Sequence, residues 1–327
     1  MKFNFKNFLA ENEGNIISSI TILLLFSFIL VGILVLQTSN YTNDNKVSKL
    51  SNDNFEYIVE NYRANIKVLS LDIINQTSIN IIESKQPLSN SRLELKNRIN
   101  QRLADENRKY YNDYNIIINS EVLEVFSDDN PFYINVKTKL TFTKDEVSYS
   151  TEDISKISVI GLYDPLPFLK CNGLQMENDK INYNHGLKDY LDRKIIGNIN
   201  TNPYINGKSP LFIKKCPYEP YNCHGQNNLC QNCLLNGYYH ESNDGSCYLC
   251  RMEGHGTCSH YGLETFIVPG EYTETNSSIT SIDHVIFSDN PYSGNLICLN
   301  NSSNTKNFIF LDNGHKNKYG FSEFYEI

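Results

Sequence analysis

The chain has 327 residues, a formal net charge of −8 and no tryptophan. This length is enough to bury a full hydrophobic core in one large domain or in two smaller ones. Acidic residues are spread along the chain and no Lys/Arg-rich run occurs, whereas a nucleic-acid-binding surface needs clustered positive charge. The composition therefore argues against nucleic acid as a partner.

The first long apolar segment spans residues 16–36, which contain no charged residue. A helix of this length, at about 1.5 Å rise per residue, extends roughly 30 Å and matches the hydrocarbon core of a bilayer. Lys2 and Lys6 precede the segment, and no Lys or Arg follows it before Lys46. We therefore predict a single-pass protein of the cell membrane, with its N-terminus inside and the bulk of the chain extracytoplasmic.

A short charged leader ends in Glu11–Gly14 (ENEG) and is followed directly by Asn15 and the apolar segment. This start resembles the N-terminus of archaeal type IV pilin-like proteins. The resemblance implies cleavage between Gly14 and Asn15, an apolar helix that anchors the protein or packs in a filament core, and partners among other pilin-like subunits or surface proteins. Ser19 stands where filament-forming members commonly carry Glu. An unprocessed signal anchor is the alternative interpretation.

Helical periodicity follows this segment. Apolar residues between Val47 and Ile82 recur every three or four positions, which is typical of an amphipathic helix. Ser91 and Glu94 form an S-x-x-E pattern that predicts a capping box at the start of a second helix. One side of this helix carries the apolar residues Leu95, Ile99 and Leu103. The same helix carries five basic residues, Lys96, Arg98, Arg102, Arg108 and Lys109. We interpret these as a solvated face, with contact to anionic lipid headgroups as the alternative.

From residue 114 the apolar period changes to about two, as in half-buried strands. Residues 114–126 and 132–143 alternate on either side of the turn sequence SDDNP, which predicts an antiparallel hairpin. ISKISVIGL is predicted as a third strand, and LETFIVP, IDHVIF, NLICL and NFIFL as later ones. Helices followed by strands predict an α+β fold class, in which an N-terminal transmembrane, pilin-like helix and amphipathic helices accompany an antiparallel sheet with a cysteine-rich insertion.

The predicted organisation has six segments. They are a charged leader at 1–14, a transmembrane helix at 15–36, an extracytoplasmic helical region at 37–110, antiparallel strands at 111–170, a cysteine-rich insertion at 171–262 and C-terminal strands at 263–327. The insertion shows poor hydrophobic periodicity, and a loop region of such length inside a compact domain needs a constraint. We expect its cysteines to supply one.

Seven of the nine cysteines lie between residues 216 and 258. Two residues between a pair of cysteines let both thiolates approach one ion from a tight turn. Four cysteines have the C-x2-C-x13-C-x2-C spacing that is close to a zinc ribbon, namely Cys230, Cys233, Cys247 and Cys250. This set predicts a structural four-thiolate Zn²⁺ site.

Oxidation is the alternative, because an extracytoplasmic location favours disulfides. Cys171 and Cys298 are one candidate disulfide, and Cys216 with Cys223 is another. Additional metal ligands or disulfide partners are predicted among Cys216, Cys223, Cys258 and His260. His224, His240 and His255 are weaker candidate ligands. A redox-active Cys-x-x-Cys is a further alternative, although no thioredoxin-like βαβ pattern surrounds these cysteines.

Two Asp/His pairs are candidates for a hydrolase or metal site at adjacent strand ends: Asp283 with His284, and Asp312 with His315. The Asp-Asn-Gly sequence at the second pair equally predicts a plain turn. The sequence as a whole predicts a membrane-anchored surface protein with a structural or adhesive role, and not an enzyme. The alternatives are a minor pilus or pseudopilus subunit, and an extracytoplasmic metal-dependent or thiol-redox enzyme. The enzyme alternative requires a pocket that joins His284 or His315 to the cysteine-rich module.

Overall fold

The computed structural model describes residues 55–194, 201–224, 229–270, 277–288, 293–299 and 306–321. The chain divides into two compact units, Met1–Arg63 and Ala64–Ile327, and residues 55–63 are the described part of the first. The predicted leader, its Gly14/Asn15 cleavage site and the transmembrane segment lie outside the described residues. Within the described ranges, no helix is both long and apolar enough to cross a membrane.

Two long helices open the described chain. Residues 55–84 form α1, and Ser91–Tyr114 form α2. In α2 the predicted apolar side is confirmed, since Leu95, Ile99 and Leu103 are fully buried.

The start of α2 differs from the predicted capping box. The Asn90 side chain accepts a hydrogen bond from the backbone N–H of Leu93 at 2.9 Å, which makes Asn90 the N-cap. Ser91 instead donates from its backbone N and its Oγ to Glu253. The prediction of a Ser91–Glu94 capping box is therefore wrong, because Asn is an equally good cap one residue earlier and a distant carboxylate takes the Ser91 donors.

Basic residues of α2 are engaged with groups of the same unit. Arg98 pairs with Glu94 at 2.6 Å, Lys109 pairs with Glu106 at 2.6 Å, and Lys96 donates to a backbone carbonyl of the neighbouring strand. These contacts fit the interpretation of a solvated helix face.

A three-stranded antiparallel sheet follows, with β1 at Ile117–Ser127, β2 at Tyr133–Lys144 and β3 at Val147–Ser158 in the order β1-β2-β3. The predicted hairpin of β1 and β2 is confirmed, and α2 packs against β1. β3 begins earlier than predicted, because its polar first half pairs with β2 without presenting an apolar alternation.

Short elements form the middle of the chain. They are α3 (Leu166–Lys170), β4 (Gln175–Glu177), β5 (Lys180–Asn182), α4 (Gly186–Lys194), a 3-10 helix (Asn202–Tyr204) and β6 (Lys208–Pro210). β4, β5 and β6 form a second antiparallel sheet. An apolar cluster that includes Ile181, Tyr183 and Leu187 lies here and is shared with Phe287 of a later helix.

The last part of the chain contains a second 3-10 helix (Tyr221–Cys223), α5 (Leu229–Asn236), β7 (Tyr239–Ser242), α6 (Tyr248–Met252), β8 (Gly262–Ile267), β9 (Ser277–Ile282), α7 (Asp283–Phe287), β10 (Asn295–Leu299), β11 (Lys306–Leu311) and α8 (Asn313–Tyr319). A five-stranded sheet has the order β10-β11-β9-β8-β7. Adjacent strands of this sheet are antiparallel except β9 and β11. The parallel pairing of these two strands was not predicted, since the sequence predicted an antiparallel sheet.

The predicted later strands are confirmed at β8, β10 and β11, but IDHVIF is wrong as a strand. β9 ends at Ile282, and Asp283–Phe287 is the short helix α7. The reason is the Asp283 carboxylate, whose Oδ1 accepts the backbone N–H of His284 at 2.9 Å and that of Thr265 at 3.1 Å. A side chain that binds nearby backbone donors competes with the strand ladder. The described residues thus form an α+β fold with antiparallel sheets, as predicted.

Candidate metal centres

Cysteine and histidine side chains gather in two sets of four. Cluster 1 consists of Cys216, His224, Cys233 and His240, and cluster 2 consists of Cys247, Cys250, Cys258 and His260. In each cluster the four ligand atoms all lie within 4.8 Å of one another. Each set can hold a metal ion, since thiolate and imidazole are the ligands of tetrahedral structural sites.

Cluster 1 is assembled from four different elements. Cys216 follows a backbone bridge to the start of β7, and its N–H donates to the Tyr239 carbonyl at 3.0 Å. His224 ends the second 3-10 helix, Cys233 lies in α5 and His240 lies in β7. All four residues are buried, so the cluster is closed to water as structural metal sites are.

The spacing of cluster 1 matches ligands around one ion. Cys216 Sγ lies 3.4 Å from Cys233 Sγ and 3.4 Å from His224 Nε2. A tetrahedral Zn²⁺ at about 2.3 Å from sulfur and about 2.0 Å from nitrogen separates its ligand atoms by roughly 3.3–3.8 Å. A disulfide needs about 2.05 Å between its sulfurs, so this pair of thiols is not one.

The charges in cluster 1 are those that a cation needs. The hydrogen bond from Cys233 lowers the pKa of Cys216 to about 3, and both histidines add to this effect. Burial lowers the pKa of His240 and keeps that ring neutral. The buried Nδ1 of His224 has no hydrogen-bond partner among the described residues. Thiolate and neutral imidazole are the forms that bind metal.

Cluster 2 is built on the turn around α6. Cys247 is the N-cap residue of α6 and Cys250 lies within it, so both side chains face the same side of one helical turn. After α6, Gly254 takes a positive φ of 79°, which lets the chain leave the helix and turn toward Cys258 and His260. Cys250 Sγ lies 3.6 Å from His260 Nδ1, and Ser127 Oγ donates to Cys247 Sγ at 3.1 Å.

One negative charge is shared among the three thiols of cluster 2. Hydrogen bonds from Cys250 and Cys258 lower the pKa of Cys247. Cys250 and Cys258 keep their protons, because the hydrogen bond that each makes to Cys247 raises the pKa of both thiols. A divalent cation would remove this competition, because it stabilises all three sulfurs as thiolates.

A third group lies behind a cleft. The histidine–carboxylate cluster, as we call it, consists of Asp244, Glu264, His284 and His315. Glu264 Oε2 lies 2.9 Å from His315 Nε2 and 3.7 Å from His284 Nδ1. Burial opposes the charge on His315, but hydrogen bonds with Glu264 and Asp312 outweigh it and raise the pKa of His315 to about 9. Asp283 itself belongs to another network, described below.

Comparisons with models of protein families, with curated proteins and with solved structures find no match.

The predicted ligand set is divided between the two clusters. Cys233 groups with Cys216, while Cys247 and Cys250 group with Cys258 and His260. The side chain of Cys230 lies outside the described residues, so the set of four cysteines that spacing predicted stays a prediction as a whole.

The two predicted disulfides have one described partner each. Cys171 and Cys216 are free thiols in the structure, and the side chains of Cys298 and Cys223 lie outside the described residues. Burial in the apolar core raises the pKa of Cys171 to about 12. Cys171 is therefore a neutral core residue and not a metal ligand.

Of the weaker candidate ligands, His224 and His240 join cluster 1, whereas the His255 side chain is 61 % exposed and lies 3.9 Å from Glu253. Sequence reasoning ranked these two histidines below the cysteines. A signal was present for His224 and His260, because His224 directly follows Cys223 and His260 ends a C-x-H sequence with Cys258.

Sequence reasoning missed a buried ionic network that holds the cysteine-rich part to the rest of its unit. The Arg251 guanidinium is fully buried and contacts Asp164 Oδ2 at 2.5 Å and Asp283 Oδ2 at 2.6 Å. Tyr239 donates to Asp164 at 2.7 Å. No periodicity signals such contacts, since their partners are 87 and 32 residues away from Arg251.

Proposed function

We propose that this chain is a membrane-anchored, extracytoplasmic surface protein of pilin-like architecture, with a structural or adhesive role, whose cysteine-rich part is stabilised by two structural Zn²⁺ ions. The observation that carries the zinc part of the proposal is the pair of four-ligand clusters. Each combines thiols and imidazole at the spacing of metal ligands. Six of their eight residues are buried, Cys258 is partly buried and His260 is exposed.

Both clusters have the composition of a structural Zn²⁺ site, and neither has that of a redox or catalytic site. Closed sets of four Cys and His ligands leave no open position for water or substrate. Cluster 1 would use two sulfurs and two nitrogens, and cluster 2 three sulfurs and one nitrogen. Zn²⁺ in cluster 2 would be held through His260 Nδ1, which would leave the His260 proton on Nε2. The partly exposed Arg92 lies 3.3 Å from that nitrogen and 3.7 Å from its other partner, Glu253.

The membrane and pilin-like parts of the proposal are supported by the uncharged segment 16–36 and by the resemblance at Gly14 and Asn15. Long helices followed by an antiparallel meander agree with that architecture, although architecture alone does not determine function.

Metal analysis tests the zinc proposal directly. Full-length protein purified in detergent is expected to contain two zinc atoms per chain by mass spectrometry. A chelator is expected to lower the melting temperature, because the ligands are not preorganised in the unfolded chain and binding is coupled to folding. A reductant alone should leave the melting temperature unchanged. Zinc-free protein that is melted by reductant would show that disulfides perform this role instead.

Topology is tested on intact cells. Externally added protease is expected to digest the chain beyond residue 36, and N-terminal sequencing of the mature protein is expected to begin at Asn15. A chain fully protected from protease would contradict the surface location. A retained leader would favour the unprocessed signal anchor, and co-purification with filaments would identify a minor pilus subunit.

A further inference from the structure

The histidine–carboxylate cluster lies beside a cleft of about 700 Å³. Asp244 and His315 both line this cleft. The lining also includes Glu219 and Tyr221 from the segment that leads into cluster 1, and Lys318 of α8. The cleft therefore joins His315 to the cysteine-rich part, which is what the enzyme alternative required of the sequence.

Three side chains in this place are of the types that bind a divalent cation. His284 stands in the first turn of α7, His315 in the first turn of α8, and Asp244 in the loop after β7. One ligand atom from each lies within 4.8 Å of the others. The Asp244 side chain is 61 % exposed, so it can rotate toward the imidazoles and shorten the present 3.9 Å between its Oδ2 and His315 Nδ1.

His315 is oriented by groups that are not themselves needed as ligands. The fully buried Glu264 carboxylate lies 2.9 Å from His315 Nε2 and is held by Lys318 at 2.7 Å and by the Tyr319 hydroxyl. Asp312 accepts the His315 backbone N–H at 2.8 Å and fixes the start of α8. Glu264 thus accepts a hydrogen bond from His315 Nε2. His315 Nδ1 lies 2.9 Å from Asp312 Oδ1 and 3.9 Å from Asp244 Oδ2, so a cation bound at Nδ1 would replace its contact with Asp312. A carboxylate behind a histidine in this way is the usual outer shell of a metal ligand.

We propose that His284, His315 and Asp244 bind one divalent transition-metal ion at the wall of the cleft, in a site distinct from clusters 1 and 2. Two imidazole nitrogens and one carboxylate make a nitrogen–oxygen donor set without sulfur, which suits Mn²⁺, Fe²⁺ or Zn²⁺ and leaves coordination positions open. The open positions face a cleft that can admit water or a small oxygen-donor ligand. This site therefore differs from clusters 1 and 2, whose four ligands complete a tetrahedron.

Mn²⁺ is the probe of choice, because thiolate clusters filled with zinc do not favour it. Full-length protein that contains two zinc atoms per chain and no free zinc is titrated with Mn²⁺ alone, and free Mn²⁺ is followed by electron paramagnetic resonance. We expect one Mn²⁺ per chain, with no loss of zinc. Pulsed measurements are expected to detect magnetic coupling to histidine nitrogen.

Asp244→Asn is the decisive variant, since its exposed side chain makes no contribution to the core. It is expected to weaken Mn²⁺ binding at least about tenfold, by analogy with the loss of groups that merely orient ligands. Asp129→Asn removes another exposed carboxylate that lies outside all three clusters and should bind Mn²⁺ like the unaltered protein. The proposal is overturned if the unaltered protein binds no Mn²⁺, if bound Mn²⁺ shows no nitrogen coupling, or if Asp244→Asn binds it unchanged.

Discussion

Replacing Arg251 by methionine is expected to lower the free energy of unfolding by about 3–5 kcal/mol. The substitution keeps most of the side-chain volume but leaves the carboxylates of Asp164 and Asp283 buried without their cation. Burial already raises the pKa of Asp283, and Arg251 is the first group that opposes this rise. A buried carboxylate that loses its partner must either remain charged at high cost or take up a proton.

Urea titration of the unaltered and Arg251→Met proteins measures this difference. Arg108→Met is the matched control, because the Arg108 side chain is 77 % exposed and pairs with Asp105 on the surface of α2. Exposed ion pairs contribute little, so the control should lie within about 0.5 kcal/mol of the unaltered protein. If Arg251→Met is equally mild, the network described here does not hold the cysteine-rich part in place.

The second large effect is expected for Cys216→Ser. Loss of this sulfur should reduce the zinc content from two ions to one, because cluster 2 shares no ligand with cluster 1. The free energy of unfolding should fall by at least about 3 kcal/mol, since the binding free energy of a structural ion is also folding free energy.

Cys171→Ser is the control for Cys216→Ser. It shows how much stability is lost when a serine hydroxyl is buried without the loss of a metal ligand. Cys171 and Cys216 are 2 % and 1 % exposed, so the two substitutions place serine in equally buried positions. Cys171 belongs to neither cluster, and its variant should keep both zinc ions. Equal destabilisation and equal metal content of the two variants would refute a metal ion in cluster 1.

Periodic features of the fold could be predicted from the sequence. The burial of Leu95, Ile99 and Leu103 and the pairing of β1 with β2 both follow from the spacing of apolar residues. Errors arose where one polar side chain overrides the pattern. Asp283 turns an apolar IDHVIF run into a helix by binding two backbone N–H groups, and Asn90 takes the cap that Ser91 was expected to form.

The candidate sites were predictable in residue type but not in grouping. Spacing identifies cysteines that can meet on one turn, and Cys247 with Cys250 does so in α6. The spacing contains no information about which turns from separate parts of the chain come together in the fold. Cys233 meets Cys216 because β7 brings Tyr239 against the Cys216 backbone, and this is a long-range contact. Glu264 entered no prediction, since it looks like an ordinary strand residue until β8 faces α8.

The residues of clusters 1 and 2 follow one another along the chain without interleaving, over residues 216–240 and then 247–260. Short loops cost little closure entropy, and each doubling of loop length adds only about 0.6 kcal/mol. The five-stranded sheet, by contrast, is incomplete until β11 has been added beside β9. All eight ligands therefore precede β9, β11 and α8 in the chain, although Tyr319 of α8 packs against His224 and His240 of cluster 1 in the folded protein. If the clusters hold Zn²⁺ as proposed, cluster 2 would gain its ion from residues 247–260 alone, whereas the enclosure of cluster 1 would wait for the C-terminal helix.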